Sequence, residues 1–383
     1  MAVYKIFPLQ DSTLYSRYPA MNTGIDAILE LSNTFPSIVS NPIVARPLIQ
    51  FDQSQINSVI DTYVESETAI SSSLRAFISN ASGIVMESTL EIYPVSGSWN
   101  NGSGEYLDNP NTTNGVSWEF RLYSGSDEKW VTDNYTENVT GSYIDSSLGG
   151  CNWYTASVDT RVNLNYSQSF NLRTTKDINA DVTDIVKTWY SSSSGIAGTY
   201  TQIENNGFLL KWNDNIEFNT SLAIQPNMQF YSVDTNTIYP PILEIKWRDY
   251  EYDSSLPTIN TPDLYLAIDN NPGVFYSESI NNFRINCRPE FPARTFQTGS
   301  SYTTNFALPP SSYYAIKDLD TNEFIIDFDD EFTQLSCDDT GSYFTLYMNG
   351  LEPERYYEIL IQTTVNGNTI IKDDQYYFKV VNG

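Results

Sequence analysis

Short runs in which apolar and polar residues alternate recur along most of the chain, and this period of two predicts β-strands. The stretch 179–212 departs from it. There Asp181 or Thr183 can cap a helix, because either side chain accepts hydrogen bonds from free backbone amides. The apolar side chains that follow at helical spacing are Ile185, Val186 and Trp189. This pattern predicts one short helix within a chain of strands.

A buried strand is predicted after this helix. The serines Ser191–Ser194 and the glycines Gly195 and Gly198 favour a loop, and the apolar run Gly207–Trp212 is typical of a core strand. Further strands of the first 250 residues are predicted at Ala2–Leu9, Ala27–Leu31, Pro42–Phe51, Ser72–Ser79, Glu87–Val95, Trp118–Tyr123, Ser169–Arg173, Ala223–Val233 and Ile242–Trp247.

Two connections between these strands differ in kind. Gln55–Ile60 is a short polar connection with room for one helical turn. Gly97–Val116 consists almost entirely of turn-forming residues, which predicts a long loop at one end of a sandwich.

The stretch from Tyr250 to Pro262 is polar, bounded by proline and without periodicity. It predicts a linker at 251–262, between a first domain at 1–250 and a second at 263–383. About seven strands follow at the spacing of a small sandwich. They are predicted at Leu264–Ile268, Phe283–Cys287, Tyr313–Ile316, Phe324–Phe328, Tyr343–Met348, Tyr356–Thr364 and Tyr376–Val381.

Two local patterns support an immunoglobulin or fibronectin-like β-sandwich for this second domain. Leu351 and Pro353 precede a tyrosine that opens an alternating strand, which is the pattern of a tyrosine corner. Asn366 and Gly367 then predict a tight hairpin turn. The chain is therefore expected to be all-β.

Composition and charge narrow the possible partners. Tyr (28) and Phe (19) are abundant, which favours strands, and the formal net charge is −27. Residues 1–250 carry 27 acidic and 13 basic side chains, and residues 251–383 carry 20 and 7, so the smaller half has the denser negative charge. Phosphates of nucleic acids and anionic lipids would be repelled. We expect no nucleic-acid partner.

No apolar run approaches the roughly 20 residues that a membrane-spanning helix needs, and the first residues lack the apolar core of a signal peptide. We therefore expect synthesis in a cytoplasm and no membrane insertion. In that compartment Cys151, Cys287 and Cys337 are expected to be reduced and partly buried. Cys287 and Cys337 could pair if they were adjacent in space.

The chain contains no histidine, which excludes Ser-His and Cys-His catalytic pairs and imidazole metal sites. A glycosidase would need two carboxylates that face each other across a cleft. Glu87, Glu91 and Glu119 lie near predicted strands, but nothing in the sequence selects a pair. We predict no catalytic residue, no cofactor-binding residue and no cofactor.

An acidic cluster in the second domain has the oxygen ligands that calcium prefers, without the spacing of a known calcium loop. A solvated strand edge, which its charge keeps from pairing with other chains, is the favoured interpretation. No metal ligand is predicted. The cluster consists of Asp327, Asp329, Asp330, Glu331, Asp338 and Asp339.

Five pieces of the first domain, in this order and spacing, resemble the DNRLRE-type domain over roughly residues 4–248. The resemblance implies a jelly-roll-like β-sandwich and a non-catalytic module. The 97–116 loop and the middle segment 127–167 depart from the family pattern. The matching pieces are Asp11 with Tyr15, Asn22-Thr23-Gly24 and Leu29; Arg46 through Asp52; Asp181 through Trp189; Asn206 through Leu209; and Pro241 through Ile245.

The second domain resembles the C-terminal half of virion structural proteins from marine contractile-tailed phages of the cyanophage type. Those proteins have the same two-part layout. The matching pieces are Phe283-Arg-Ile-Asn286, Phe291 through Phe296, Tyr302 through Asn305, Ile326-Asp-Phe328, Gly341 through Phe344 and Leu351 through Tyr357. The resemblance implies a component of a phage particle and leaves neck, tail and baseplate open.

Aromatic side chains in the predicted loops have two interpretations. Exposed rings could stack on the sugars of a cell-surface polysaccharide, whereas large aromatics in a β-sandwich are mostly core or interface residues. The candidates are Trp99, Tyr106, Trp130, Trp153 and Tyr154.

We therefore expect a non-enzymatic structural component of a tailed-phage virion, associated with the neck, tail or baseplate. Its partners would be other virion proteins, and several symmetric copies of the chain would be built into each particle. The particle would be assembled in the host cytoplasm. The alternative is a carbohydrate-binding adhesion module that recognises polysaccharide on the host surface.

Overall fold

The structure is a computed structural model that describes residues 2–35, 43–64, 70–123, 127–130, 138–139, 150–154, 164–194, 203–217, 219, 222, 224–292 and 305–383. Strands make up 48% of the described residues and helices 8%, in several antiparallel sheets, which confirms the predicted all-β sandwich class. None of the helices in the described ranges has the length and apolar composition that a membrane span requires. Gly195, Gly198 and much of the segments 127–167, 291–296 and 302–305 lie outside the described residues.

The chain divides into two compact units. The N-terminal unit comprises Ile6–Glu67 and Ser71–Glu244. The C-terminal unit comprises Ile245–Gly383 together with Met1–Lys5 and Thr68–Ile70, so that the beginning of the chain belongs with its end.

The strands up to the division between the units are mostly short. They are β1 (Ala2–Ile6), β2 (Pro8–Tyr15), β3 (Ile28–Thr34), β4 (Ile43–Phe51), β5 (Ile70–Ala76), β6 (Ile78–Ser82), β7 (Ser88–Pro94), β8 (Phe120–Tyr123), β9 (Asp127–Lys129), β10 (Asn138–Val139), β11 (Asn152–Trp153), β12 (Tyr166–Phe170), β13 (Ile178–Asp181), β14 (Phe208–Trp212), β15 (Asn227–Tyr231) and β16 (Ile242–Trp247).

The helices are longer than the sequence pattern predicted. Helix α1 spans Gln53–Tyr63, where one turn was expected, and Asp52 caps it by accepting a hydrogen bond from the Ser54 amide at 2.9 Å. Helix α2 spans Thr183–Ser194, so its backbone continues through the serines predicted as a loop. Asp181 Oδ1 accepts from the Thr183 amide at 3.0 Å, as predicted. A third helix, α3, spans only Asp214–Glu217.

The large sheet of the N-terminal unit has the order β12-β7-β14-β4-β3-β15-β6, and β2 pairs with the other edge of β4. β3 and β14 share one edge of β4, because β3 pairs with its first residues and β14 with Leu48 and Ile49. A separate antiparallel pair joins β5 to β13.

Both faces of this sheet are covered at β14, all five residues of which are buried. On one face Phe208 contacts the ring of Trp189 from α2, with a centroid distance of 4.7 Å. On the other face Leu209 belongs to a core cluster with Trp99 and Trp118, which come from the 97–116 loop and the segment that follows it. The loop is therefore part of the core.

The C-terminal unit contains a sandwich of two sheets. Its strands are β17 (Leu264–Asp269), β18 (Val274–Tyr276), β19 (Ile280–Pro289), β20 (Ser312–Asp318), β21 (Phe324–Ile326), β22 (Ser336–Asp338), β23 (Gly341–Tyr347), β24 (Tyr356–Val365) and β25 (Asn368–Val381). One sheet has the order β17-β19-β23-β22 and the other β18-β25-β24-β20-β21.

This strand order is that of an immunoglobulin-like sandwich. β17, β19, β23 and β22 correspond to the A-B-E-D sheet, and β20, β24 and β25 correspond to the C-F-G sheet. The predicted tyrosine corner is present, because the buried Tyr357 donates its hydroxyl proton to the carbonyl oxygen of Glu352 at 3.0 Å. The predicted hairpin turn is also present, with positive φ at Asn366 (51°) and Gly367 (78°).

The stretch predicted as a linker, 251–262, is hydrogen-bonded to the rest of the C-terminal unit. The Asp253 amide donates to the Cys337 carbonyl and the Ile259 amide to the Ala307 carbonyl, both at 2.9 Å. Ile259 is buried in the core of this unit. Isolated bridges of this kind leave no periodic pattern in the sequence, which is why the stretch resembled a linker.

Candidate binding platform

The 97–116 loop is held by one buried side chain, that of Asn22. Its Nδ2 donates to the carbonyl oxygens of Asn101 (2.6 Å) and Val116 (2.7 Å), and its Oδ1 accepts from the amides of Gly104 (2.8 Å) and Gly24 (3.2 Å). These four bonds use both donors and both lone pairs of the amide. Asn22 therefore fixes the path of a loop that has no regular secondary structure.

The residues beside Asn22 complete this attachment. The hydroxyl of Thr23 donates to the Thr13 carbonyl at 2.8 Å and accepts from the Thr13 amide at 3.1 Å, which fastens the turn to β2. A Cβ at Gly104 would clash with the carbonyl oxygen of Asn22. The loop backbone therefore lies so close to Asn22 that only glycine fits at position 104.

Tryptophans attach the base of the loop to the core. Trp99 is 6% exposed and donates from Nε1 to the Asn206 carbonyl at 2.8 Å. Trp130 is fully buried and donates to the Ser117 carbonyl, and Trp153 is buried beside them. The interpretation of these three rings as exposed sugar-stacking side chains was therefore wrong. Of the candidates, Tyr106 is 44% exposed and Tyr154 is half-buried.

The tip of the loop and the segment 15–25 together present an apolar surface that we call the Tyr106 platform, formed by Tyr15, Tyr18, Ile25, Tyr106 and Leu107. The ring of Tyr106 lies 4.9 Å from the buried ring of Tyr15 and 6.4 Å, edge to face, from that of Tyr18. Ile25, Tyr106 and Leu107 are 42–49% exposed. Leu107 has a φ of 58°, a conformation that costs about 1 kcal/mol or more in a residue other than glycine.

The platform is preorganised by its own hydrogen bonds. The Ile25 amide donates to the Gly104 carbonyl at 3.1 Å, and the Leu107 amide donates to the sulfur of Met21 at 3.5 Å. The exposed side chains of Ile25, Tyr106 and Leu107 therefore project from a backbone that hydrogen bonds fix, so that a partner would find them already in position.

Carboxylates surround the platform. Glu30 accepts a hydrogen bond from the Tyr15 hydroxyl at 3.1 Å, and Asp26 accepts one from the Tyr106 amide. Burial raises the pKa of Asp26, and the nearby charge of Glu105 raises it further. Burial and the charge of Glu30 raise the pKa of Tyr106, whose ring therefore remains a neutral phenol. Neutral aromatic faces beside carboxylates can bind cations.

A second group of charged residues lies beneath the tryptophans. Arg46 donates from Nε and Nη2 to the two carboxylate oxygens of Glu217 at 2.7 and 2.9 Å, and both side chains are fully buried. Lys211 Nζ lies 3.3 Å from Glu217 and 2.8 Å from Asp214. The guanidinium of Arg46 also lies 5.0 Å from the ring centroid of Trp118. A carboxylate so enclosed is part of the core, because no substrate can reach it.

The glutamates considered for sugar hydrolysis have separate partners. Glu91 accepts a hydrogen bond from the Tyr93 hydroxyl at 2.8 Å, and Glu119 forms an ion pair with Lys129 at 2.5 Å. Glu87 is exposed. The carboxylates of these three glutamates do not contact one another in the structure.

The acidic cluster of the second domain is engaged in turns and ion pairs. Asp329 Oδ1 accepts from the amides of Glu331 and Phe332, both at 2.9 Å. Asp338 forms a bidentate pair with Arg284 at 2.8 and 2.9 Å, and this lowers the pKa of the carboxyl group. Among the described residues, no group of three or more potential ligands could hold a metal ion.

The three cysteines are free and buried, as the sequence favoured, and none forms the Cys287–Cys337 disulfide. Burial raises the pKa of the Cys287 thiol to about 12, so this thiol is not a reactive nucleophile.

Sequence reasoning identified Tyr106 and missed its neighbours Tyr18, Ile25 and Leu107. The available indication was the Asn22-Thr23-Gly24 turn, since a buried Asn next to a glycine is suited to fixing a second loop. The sequence does not show that the hydrogen-bond partners of Asn22 lie 79 to 94 positions later in the chain.

No family model matches the chain, and no curated protein matches it. Two solved structures have a weak likeness. A DUF4785 family protein from Legionella pneumophila aligns with 99% of this chain and 62% of its own, at 8% identity and a TM-score of 0.17. The beta-glucuronidase of Parabacteroides merdae aligns with 96% of this chain and 36% of its own, at 9% identity and a TM-score of 0.16. The chain spans less than two thirds of either protein, and TM-scores this low carry no argument.

Proposed function

We propose that this protein is a structural component of a tailed bacteriophage virion, associated with the neck, tail or baseplate, and that it acts through protein–protein contacts in several symmetric copies. The observation that carries the proposal is the Tyr106 platform, a preorganised and exposed aromatic surface on an all-β scaffold. Aromatic side chains on a fixed backbone are typical anchors of protein interfaces.

Two further features support a structural role. The sequence motifs within residues 4–248 resemble those of the DNRLRE-type domain, and motifs of the second domain resemble those of cyanophage-type virion proteins, although no family model matches the chain. In addition, the charged residues Arg46, Lys211 and Glu217 are almost completely buried, and their ion pairs join elements of the core. They are not arranged around an accessible reacting centre.

The test is mass spectrometry of purified particles with quantification against a capsid protein. The expected result is recovery of this chain in several copies per particle. Particles assembled with Tyr106→Ala should contain fewer copies, whereas Tyr276→Ala, which alters a 64% exposed tyrosine of the C-terminal unit, is the matched control. A chain found free in infected cells and never in particles would refute the proposal.

The alternative, a carbohydrate-binding adhesion module, now depends on Tyr106 because Trp99 and Trp130 are buried. An exposed ring beside carboxylates can also stack on a sugar. A glycan array distinguishes the two functions. Specific binding that disappears in Tyr106→Ala would favour the adhesion module over the structural role.

A further inference from the structure

The Tyr106 platform combines two features that recognise the same chemical group. The exposed ring of Tyr106 and the half-buried ring of Tyr18 have electron-rich faces, which attract cations. Asp26, Glu30 and Glu105 border it with negative charge, and Asp26 and Glu30 are partly buried, so solvent screens them less than surface groups. Within the chain itself, the guanidinium of Arg17 lies 5.6 Å from the ring centroid of Tyr18. One tyrosine of this surface, Tyr18, therefore already lies within cation–π distance of a guanidinium.

We propose that the Tyr106 platform binds an arginine side chain of a partner protein, with the guanidinium plane against the ring of Tyr106 and its charge balanced by the bordering carboxylates. This inference rests on the proposed function, since it names the chemistry of the protein partner that the platform would contact.

Arginine fits better than lysine for a geometric reason. The guanidinium is planar and weakly hydrated, so it can stack on a tyrosine ring while its edge donates to a carboxylate, whereas the ammonium of lysine is compact and strongly hydrated. Leu107 and Ile25 add apolar surface for the methylene groups of the arginine.

Charge complementarity also favours a different protein over a second copy of this chain. With 47 acidic and 20 basic side chains, two copies of this chain repel each other, most strongly at low ionic strength. A partner surface with arginine at its centre would instead be attracted, and its arginine would act as the anchor of the interface.

The full-length protein, labelled with ¹³C in the methyl groups of isoleucine, tests the proposal directly. The Ile25 methyl signal, assigned through Ile25→Val, is followed by NMR during titration with N-acetyl-arginine-methylamide. Saturable movement of this signal is expected. N-acetyl-citrulline-methylamide has the same shape without the charge, and N-acetyl-lysine-methylamide has the charge without the plane, so both should bind at least about threefold more weakly.

Variants show whether the ring is the contact. Tyr106→Ala should weaken arginine binding about three- to thirtyfold, the range expected for one cation–π contact. Tyr106→Phe keeps the aromatic face and should retain binding, and Tyr276→Ala should leave it unchanged. Equal binding of citrulline or lysine, unchanged binding in Tyr106→Ala, or no saturable movement would overturn the inference. These results are independent of whether the chain occurs in particles, so failure of the proposed function would be recognised separately.

Discussion

At the scale of single residues, several positions of the sequence motifs in the N-terminal unit stabilise the fold. Asn22 fixes the 97–116 loop, Asp52 caps α1, and Asp181 caps α2. Arg46 neutralises the buried Glu217. The motifs therefore indicate how the N-terminal unit is built, whereas the exposed residues of the Tyr106 platform lie mostly outside them.

Replacing Asn22 should be strongly destabilising. Asn22→Ala leaves two buried carbonyls and two amides without their partner, and each unsatisfied group costs about 1–3 kcal/mol, so we expect a loss of about 3 kcal/mol or more in the free energy of unfolding. Urea denaturation measures it. The control is Asn114→Ala, because Asn114 is exposed and its bonds to Ser103 are open to solvent. Equal losses in the two variants would contradict this role.

Asp11 makes stability depend on pH. Burial raises its pKa to about 8, partly offset by the hydrogen bond from the Val233 amide. An unfolded Asp has a pKa of about 3.9. Between these values the folded state binds a proton that the unfolded chain has released, so this contribution to stability is complete below about pH 4 and declines as pH rises towards 8.

Asp11→Asn should remove this decline, because an amide has no proton to lose and its oxygen can still accept from the Val233 amide. We expect the variant to be more stable than the wild type by about 1–3 kcal/mol at pH 8, with a smaller difference or the opposite sign at pH 4. Denaturation at a series of pH values measures this. Asp263→Asn is the control for the loss of one surface charge. If the free energy of unfolding changed with pH in the same way in all three proteins, Asp11 would not be the source of the pH dependence.

At the scale of elements, the strand pattern was predictable where apolar residues cluster. Ile242–Trp247 coincides with β16, and Gly207–Trp212 differs from β14 by one residue. The three-residue strand β18 was missed, because its pairing with β25 is set by a partner about a hundred positions away. Likewise, nothing local in the loop sequence distinguishes a buried Trp99 from an exposed one, since its hydrogen-bond partner is Asn206.

Glu217 of α3 joins three elements, because its carboxylate forms ion pairs with Arg46 of β4 and Lys211 of β14. Glu217→Gln leaves Arg46 and Lys211 buried without full compensation, so we expect a loss of about 3–5 kcal/mol in the free energy of unfolding. Asp338→Asn is the control, since its pair with Arg284 is about one third exposed and should contribute about 1 kcal/mol or less. Denaturant unfolding compares the two. A loss below about 1 kcal/mol for Glu217→Gln would show that the buried pair adds little.

At the scale of the whole molecule, the C-terminal unit includes the first residues of the chain. Val3 is buried in its core, the Lys5 carbonyl accepts from Asn349 Nδ2 at 2.7 Å, and Lys5 Nζ donates to the Ile325 carbonyl at 3.1 Å. The sequence predicted the strand β1 but did not predict that it belongs to the C-terminal unit. An alternating pattern identifies a strand and does not identify the sheet that the strand joins.

Val3→Ala should therefore destabilise the distant half of the sequence. Loss of two buried methyl groups is expected to cost about 1–3 kcal/mol. Hydrogen exchange read by mass spectrometry should show faster exchange in β19, β23 and β24, with little change in β7 and β14. Val59→Ala, at a buried position of α1, should have the reverse effect. Faster exchange confined to the N-terminal unit in Val3→Ala would contradict this assignment.

The placement of the first strand has a consequence for synthesis. Lys5 and Asn349 are 344 positions apart, and a ribosome that adds about 5–20 residues per second needs roughly 20–70 s to translate that interval. During this time Val3 has left the ribosome while the core that buries it is still untranslated. β1 thus remains without its core while the N-terminal unit is translated, and it can become ordered only after β19, β23 and β24 have been made.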